Sequence, residues 1–216
     1  MKQSEIIMSL KKEKIKMKKP NDYEDVQPYG EFTPLEVGGH ILVIKKIEET
    51  KSRTGKDMLM IYLDTDVSDK QPRYYEEQFK NDIRPNKKWG CIVYQLVFDQ
   101  DGATNRGLKT FHTCVEKSNP GFAITWGSGY ADCFKGKKLG GVFGKEEYLN
   151  QKNEPKKATK CFFFRSTDAI AAGVDVPEEK LLPRNANGEL LTSKQQTNGD
   201  GFMNIPDNLQ EEIPFN

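Results

Sequence analysis

The chain has 216 residues, of which 33 are Lys or Arg and 32 are Asp or Glu, for a formal net charge of +1; 36% are hydrophobic and 30% charged. Globular proteins average roughly 45–50% apolar and 25% charged, so one domain with a good core and sizeable solvated segments is expected. No apolar run approaches the roughly 20 residues of a membrane span, and Ile6-Ile7-Met8 is too short for a signal peptide, so the expectation is a cytoplasmic protein without membrane association.

The charge is unevenly placed. Residues 1–37 hold 7 Lys/Arg and 7 Asp/Glu, residues 38–176 hold 23 and 18, and residues 177–216 hold 3 and 7. A modestly basic body with an acidic tail fits a nucleic-acid binder that carries an acidic interaction segment. Cys91, Cys114, Cys133 and Cys161 are widely spaced with no CxxC pair, and the only histidines are His40 and His112. That pattern points to buried thiols and to no metal site and no cofactor.

Residues 1–29 read as a basic, flexible segment centred on Lys11-Lys12-Glu13-Lys14. It is either a phosphate-gripping arm or, over residues 1–16, a translated leader ahead of a start at Met17. From Gly38 the period is two: His40, Leu42, Ile44 and Lys46 share one face, Ile41, Val43, Lys45 and Ile47 the other. Residues 51–56 form a basic turn that includes Gly55, followed by a strand over 58–67, so the pair reads as a hairpin. Residues 74–79 and 91–98 are further strand candidates. Leu108, Phe111 and Val115 mark an amphipathic helix over 107–118, stopped by Ser118-Asn119-Pro120-Gly121. Two strands, 136–143 and 159–165, close the body, joined by a charged connector over 145–157. Residues 184–206 are a flexible polar linker, and 207–216 form an acidic-hydrophobic tip.

Strands, one helix, then two strands is the layout of a mainly β domain over residues 30–183. The expected fold is a five-stranded Greek-key barrel of the oligonucleotide-binding (OB) type, with one helix capping an end and disordered segments before and after it. A parallel α/β sheet would need a helix after nearly every strand.

The stretches Ile44-Lys45-Lys46-Ile47-Glu48, Ser52-Arg53-Thr54-Gly55-Lys56, Lys88-Trp89-Gly90, Glu116-Lys117-Ser118-Asn119-Pro120-Gly121-Phe122 and Lys135-Gly136-Lys137-Lys138-Leu139-Gly140 carry a resemblance. Over residues 30–183 the body resembles single-stranded-DNA-binding proteins of phages and mobile elements from low-GC Gram-positive bacteria. The ending Glu211-Glu212-Ile213-Pro214-Phe215-Asn216 resembles the acidic tip of bacterial and phage single-stranded-DNA-binding proteins. In that family the chain ends on the phenylalanine, whereas here Asn216 follows it. The resemblance implies single-stranded DNA as ligand, a role in replication, recombination and repair, and replication or recombination proteins as partners of Asp207, Glu211, Glu212, Ile213, Pro214 and Phe215. It also admits a homo-oligomer.

Sequence-neutral binding of single strands needs cations that follow phosphates and aromatic faces that stack bases. Both are interleaved in Arg73-Tyr74-Tyr75, Phe79-Lys80, Lys87-Lys88-Trp89 and Phe134-Lys135. The candidate nucleic-acid-binding residues are Lys51, Arg53, Lys56, Tyr62, Arg73, Tyr74, Lys87, Lys88, Trp89, Tyr94, Trp126 and Lys135, with residues 51–56 as a basic flap. Phe111, Phe143 and Phe163 belong to the expected core, His112 is a hydrogen-bonded, partly buried side chain, and Cys114 is a small core residue. An alternative reading is a recombination accessory, a strand-annealing or mediator protein. Asp64 and Asp66 share a strand face and would suit Mg²⁺ in a nuclease, but no third carboxylate with a recognisable spacing accompanies them, and no Walker A, GxSxG or HExxH motif occurs. A non-enzymatic binding protein is the expectation.

Overall fold

A computed structural model describes residues 18–21, 23–24, 33–185, 188 and 190. The chain divides into a unit over residues 1–33 and a unit over residues 34–216. In the first, Lys19 pairs with Glu24 and lies over the Tyr23 ring. The expected basic arm or leader over 1–16, nearly all of the linker over 184–206 and the tip over 207–216 lie outside the described residues.

The second unit is mainly β. Strands β1 (Gly38–Lys51), β2 (Asp57–Thr65), β3 (Ile92–Leu96), β4 (Lys138–Leu149) and β5 (Pro155–Arg165) form one antiparallel sheet in the order β3-β2-β1-β4-β5. Helix α1 (Tyr74–Asn81) follows β2, and α2 (Arg106–Ser118) lies between β3 and β4. A 3-10 turn (Gly127–Gly129) runs into α3 (Tyr130–Cys133), and α4 (Thr167–Ala171) follows β5. Among the described residues no backbone ladder joins β3 to β5, so the sheet is open rather than the closed barrel expected, and it carries several short helices rather than one.

The core lies on one side of this sheet. Leu42, Ile44, Ile47, Leu59, Ile61, Leu63 and Val93 point into it from β1–β3, and Leu139, Phe143, Cys161 and Phe164 from β4 and β5. Phe111, Cys114 and Val115 on α2 meet them, as the 3.6-residue periodicity predicts. The expected simple alternation along β1 fails at one point. A bulge between Ile44 and Lys46 shifts the register against β2, so Lys46 turns out to solvent and Ile47 turns in.

Both ends of α2 are pinned. The Asn105 side chain accepts hydrogen bonds from the Gly107 and Leu108 amides, a cap worth about 1 kcal/mol. Its oxygen also accepts from buried Gln95 of β3 at 2.7 Å. At the other end Asn119 donates to Val115 O and Lys138 O, both at 2.7 Å, and accepts from the Lys138 amide at 3.0 Å. The helix is thereby tied to β3 and to β4.

The expected strand over 74–79 is instead α1, and the reason is tertiary. Arg73 precedes the helix with φ 52° and supplies no side-chain cap. Asp64 and Thr65 at the end of β2 act in its place: Asp64 Oδ1 accepts from the Tyr75 amide at 2.9 Å, and Thr65 Oγ1 from the Tyr74 amide at 2.8 Å. A carboxylate at a helix N-terminus also complements the helix dipole. Tyr75 then inserts into the core, and neighbouring buried groups on β5 and just before β3 are close enough to couple with it: burial, then Cys91, Tyr74 and Cys161, push its phenol pKa well up.

The charged connector expected over 145–157 is mostly strand. β4 and β5 continue as a hairpin to the pair Leu149↔Pro155. Its turn is organised by Asn150 Oδ1, which accepts from the Lys152 and Glu154 amides, both at 2.9 Å. An irregularity between Val142 and Phe143 pairs Val142 with Phe163 but Phe143 with Cys161. That extra residue turns Phe163, expected in the core, outward to 37% exposure. Phe111 and Phe143 are fully buried and Cys114 is buried, as expected, whereas His112, expected to be partly buried, is 4% exposed.

The segment after β5 straps the β1–β4 half of the sheet. Ile170 of α4 sits so close to Gly140 that a Cβ there would fall 2.3 Å from it. Further on, Lys180 exchanges backbone hydrogen bonds with Lys145 and Glu147 at 2.9 and 2.8 Å, along the part of β4 that β1 does not reach.

A buried His–Asp contact ties the start of β1 to the loop after β2. His40 Nδ1 lies 2.9 Å from Asp69 Oδ1 and His40 Nε2 3.1 Å from Glu36 O. Asp69 also accepts from the Ile41 and Gln71 amides at 2.7 and 2.9 Å. Burial raises the Asp69 pKa, but these hydrogen bonds outweigh it and leave it below the ordinary 3.8. A depressed folded-state pKa stabilises the fold above the ordinary value and loses that contribution as pH falls through the folded one. Asp69→Ala should therefore lower urea-unfolding stability by about 3–5 kcal/mol at neutral pH. The gap to the parent protein should narrow once pH drops below 3.8; a gap independent of pH would contradict the account of a hydrogen-bonded carboxylate.

Candidate nucleic-acid interface

The sheet face away from the core is part-exposed over the middle of β1–β3, with Met58 at the start of β2 buried. Residues of alternate parity stand there: Lys46 and Glu48 of β1, Met60 and Tyr62 of β2, Ile92 and Tyr94 of β3. The register sets Lys46 beside Tyr62, Glu48 beside Met60, Met60 beside Tyr94 and Tyr62 beside Ile92. Tyr62 and Tyr94 are therefore diagonal neighbours, a relation within reach of aromatic side chains. The Tyr62 phenol donates to Glu48 Oε2 at 2.9 Å, and the Lys46 ammonium, paired with Glu48, lies 5.8 Å from the ring centroid. Burial and then the Glu48 hydrogen bond push the Tyr62 pKa up to about 12. Burial raises that of Tyr94 as well. Both rings are neutral at physiological pH, and that of Tyr62 is held from the side by Glu48.

The turn 51–56 is short and tightly held. Ser52 N donates to Lys56 O at 2.7 Å, Gly55 N to Ser52 O at 2.8 Å, and Lys56 N to Ser52 Oγ at 3.0 Å. Gly55 takes φ 79°, which a residue with a Cβ rarely adopts. Lys51 pairs with Asp57 across the base at 2.6 Å. The result is a hydrogen-bonded basic tip carrying Arg53 and Lys56.

A second group of candidates lies beyond the other end of β2, about 27 Å away along the strand. Arg73 is exposed. Tyr74 is structural: its hydroxyl accepts from the Leu35 amide at 2.8 Å, its ring packs edge-on against Tyr75, and burial pushes its pKa up to about 12. Trp89 is half-buried, its indole donates to Leu63 O at 2.6 Å, and its ring leans on Phe79 at 5.6 Å. Lys87 lies over that Phe79 ring at 4.6 Å, and Lys88 is exposed. Trp89 thus holds the approach to β3 against the end of β2.

The third group surrounds α3. Trp126 is 70% exposed and Lys135 is exposed. Met60, Ile92 and Lys46 were not singled out as binding residues from the sequence; alternation along β2 and β3 puts Met60 and Ile92 on the faces of Tyr62 and Tyr94, whereas only the bulge in β1 brings Lys46 there. Phe163, with the Arg165 guanidinium 5.7 Å from its ring, is a further exposed aromatic-cation pair; only the β4–β5 irregularity reveals it.

The two aspartates weighed as metal ligands are engaged elsewhere. Asp64 caps α1, and its other oxygen, Oδ2, is buried without a hydrogen bond among the described residues, 4.0 Å from the Lys45 ammonium. Burial raises its pKa. Asp66 Oδ1 accepts from the Ser68 amide and hydroxyl and from Lys138 at 2.8 Å. No group of three or more His, Cys, Asp or Glu suited to a metal ion occurs among the described residues, and none of the described helices is long and apolar enough to cross a membrane.

In comparisons with known proteins, no family model matches the chain and no curated protein matches it significantly.

Trp89→Phe should keep the ring contact with Phe79 but lose the hydrogen bond to Leu63 O, costing about 1 kcal/mol in urea unfolding. An unchanged unfolding midpoint would mean that the indole N–H holds nothing in place.

Proposed function

We propose that the chain binds single-stranded DNA without sequence preference, laying it over the outer face of β1–β3 in the manner of an OB fold. The observation that carries this reading is the diagonal pair Tyr62 and Tyr94 on a part-exposed sheet face, flanked by the basic turn 51–56 at one end of β2 and by Arg73, Lys87 and Lys88 at the other. Supporting it is the strand order β3-β2-β1-β4-β5 with α2 between β3 and β4. This is the order of the five-stranded, partly open Greek-key barrel, whose ligands lie across strands 2 and 3 and the loops between strands 1–2 and 4–5. Here those loops carry Arg53 and Lys56, and Lys152.

On this reading bases stack on Tyr62 and Tyr94, with Met60 and Ile92 as apolar contacts, while the cations at both ends of β2 follow the phosphates. Every base has a π-face, so stacking does not read sequence. Duplex DNA hides those faces and binds less well. Tyr62→Ala and Tyr94→Ala should each cost about 1–3 kcal/mol in binding to poly-dT. Affinity for the parent protein should fall with salt at a log-log slope of about −0.7 per phosphate neutralised. Fluorescence anisotropy on residues 34–216 and on the full chain measures both. Equal affinity for duplex and single strands would sink the assignment.

The acidic ending, outside the described residues, completes the proposal as a hook for replication or recombination proteins, with Phe215 as its anchor. Phe215→Ala should abolish retrieval of such proteins in a pull-down while leaving poly-dT affinity unchanged. Equal retrieval by both forms would leave these residues without a partner role.

A further inference from the structure

Glu48 stands on the outer face of the sheet and has no part in stacking. It lies opposite Met60, and Met60 opposite Tyr94, so one cross-strand row runs Glu48–Met60–Tyr94 and the next Lys46–Tyr62–Ile92. The Glu48 carboxylate touches both rows. Its Oε2 accepts from the Tyr62 hydroxyl at 2.9 Å, and its Oε1 pairs with the Lys46 ammonium. It is also near enough to Tyr94 to add to the rise in that phenol's pKa, after burial. The anion thus borders both tyrosines.

This carboxylate is ionised and still has room to accept. Hydrogen bonds from Lys46 and then Tyr62 outweigh burial and hold its pKa below the ordinary 4.5. Among the described residues Lys46 and Tyr62 supply its donors, one to each oxygen, whereas a carboxylate offers about four lone-pair sites. Its side chain is 37% exposed, so a further donor can arrive from solvent. The Lys46 ammonium offsets its charge and lets a polyanionic strand approach.

Stacking needs only π-faces. An ionised acceptor beside the rings adds a contact with the edge of whatever base lies on them. Cytosine brings an amino group at N4, adenine at N6 and guanine at N2; thymine and uracil carry a carbonyl oxygen where cytosine has N4, and its lone pairs face those of the carboxylate. Glutamate accepting from cytosine N4 is a known pairing of residue and base. A cationic ligand would be drawn to the same carboxylate, but Lys46 already fills that place, 5.8 Å from the Tyr62 ring centroid.

We propose that Glu48 makes the tyrosine face select, at one nucleotide of the bound strand, a base with an exocyclic amino group over thymine or uracil. The proposal rests on the single-strand reading above and bounds its sequence neutrality. A strand of any sequence stacks, and one position in it is read.

The test compares oligo-dC with oligo-dU of equal length on the full chain by fluorescence anisotropy. The two bases are rings of the same size, so stacking is closely matched and the hydrogen-bonding edge is not. Oligo-dC should bind about 5-fold more tightly, the worth of one net hydrogen bond. One dC within oligo-dU should recover most of that gain, because a single position is read. Glu48→Gln keeps an acceptor for the Tyr62 hydroxyl and offers uracil a donor. It should strengthen oligo-dU binding and bring the ratio of the two affinities close to one, whereas a role confined to holding Tyr62 would leave the ratio unchanged.

Equal affinity of the parent protein for oligo-dC and oligo-dU would overturn this inference and leave the tyrosine face standing. So would a ratio that Glu48→Gln does not alter, or a gain that grows with every added dC. Absence of binding to either oligonucleotide would overturn both readings.

Discussion

The fold depends on one strand serving two ladders. β1 pairs with β4 over its first half and with β2 from Leu42 to Lys51, so the two halves of the sheet share only Leu42 and Val43. A strand with strict alternation could not suit both partners across such a change of direction. The bulge between Ile44 and Lys46 lets it bend and reverses which side chains face the core. Without that reversal Ile47 would sit in water and Lys46 in the core, because a shift of one residue moves every later side chain to the other face.

The helices then settle which parts of the sheet remain accessible. α2, held at both ends by asparagine side chains, fills the core side. α4 and the strap through Lys180 cover the outer side of β1 and β4, where Gly140 has no side chain to obstruct them. α1 brings Tyr75 into the core beside the buried thiols of Cys91 and Cys161; burial pushes the Cys91 pKa up to about 12 and that of Cys161 well up, so both are unreactive at neutral pH. The outer face of β1–β3 is the part of the sheet with no covering element among the described residues, and there the tyrosines stand. The candidate site is defined as much by what the strap covers as by its own residues.

Buried polar groups give this arrangement its specificity. Asp64 is fully buried and has one oxygen without a hydrogen bond among the described residues, yet it organises the start of α1 through backbone amides. Asp69 and His40 do similar work at the start of β1. Each removes from water a charge whose desolvation costs several kcal/mol, and each is offset only by hydrogen bonds that exist in this one arrangement. A slipped register would leave these charges buried and unpaired.

Much of this was legible in the sequence. Period-two runs located β1 and β2, the strand candidate over 91–98 holds β3, and the i, i+3, i+7 pattern located α2 and its buried face; that Tyr62 and Tyr94 are neighbours came from the β2–β3 register. The two patterns follow from local geometry: side chains alternate on a strand and recur every 3.6 residues on a helix, whatever lies around them. What only the tertiary structure decided are features whose causes lie far away in the chain. α1 is a helix because Asp64 and Thr65, about ten residues earlier, cap it, and Phe163 faces out because β4 and β5 pair with one residue to spare. Trp89 is committed to Leu63 O, whereas Trp126 is left 70% exposed. Composition makes both tryptophans equivalent; which one is held in place depends on what packs around it, and that is a property of the folded chain.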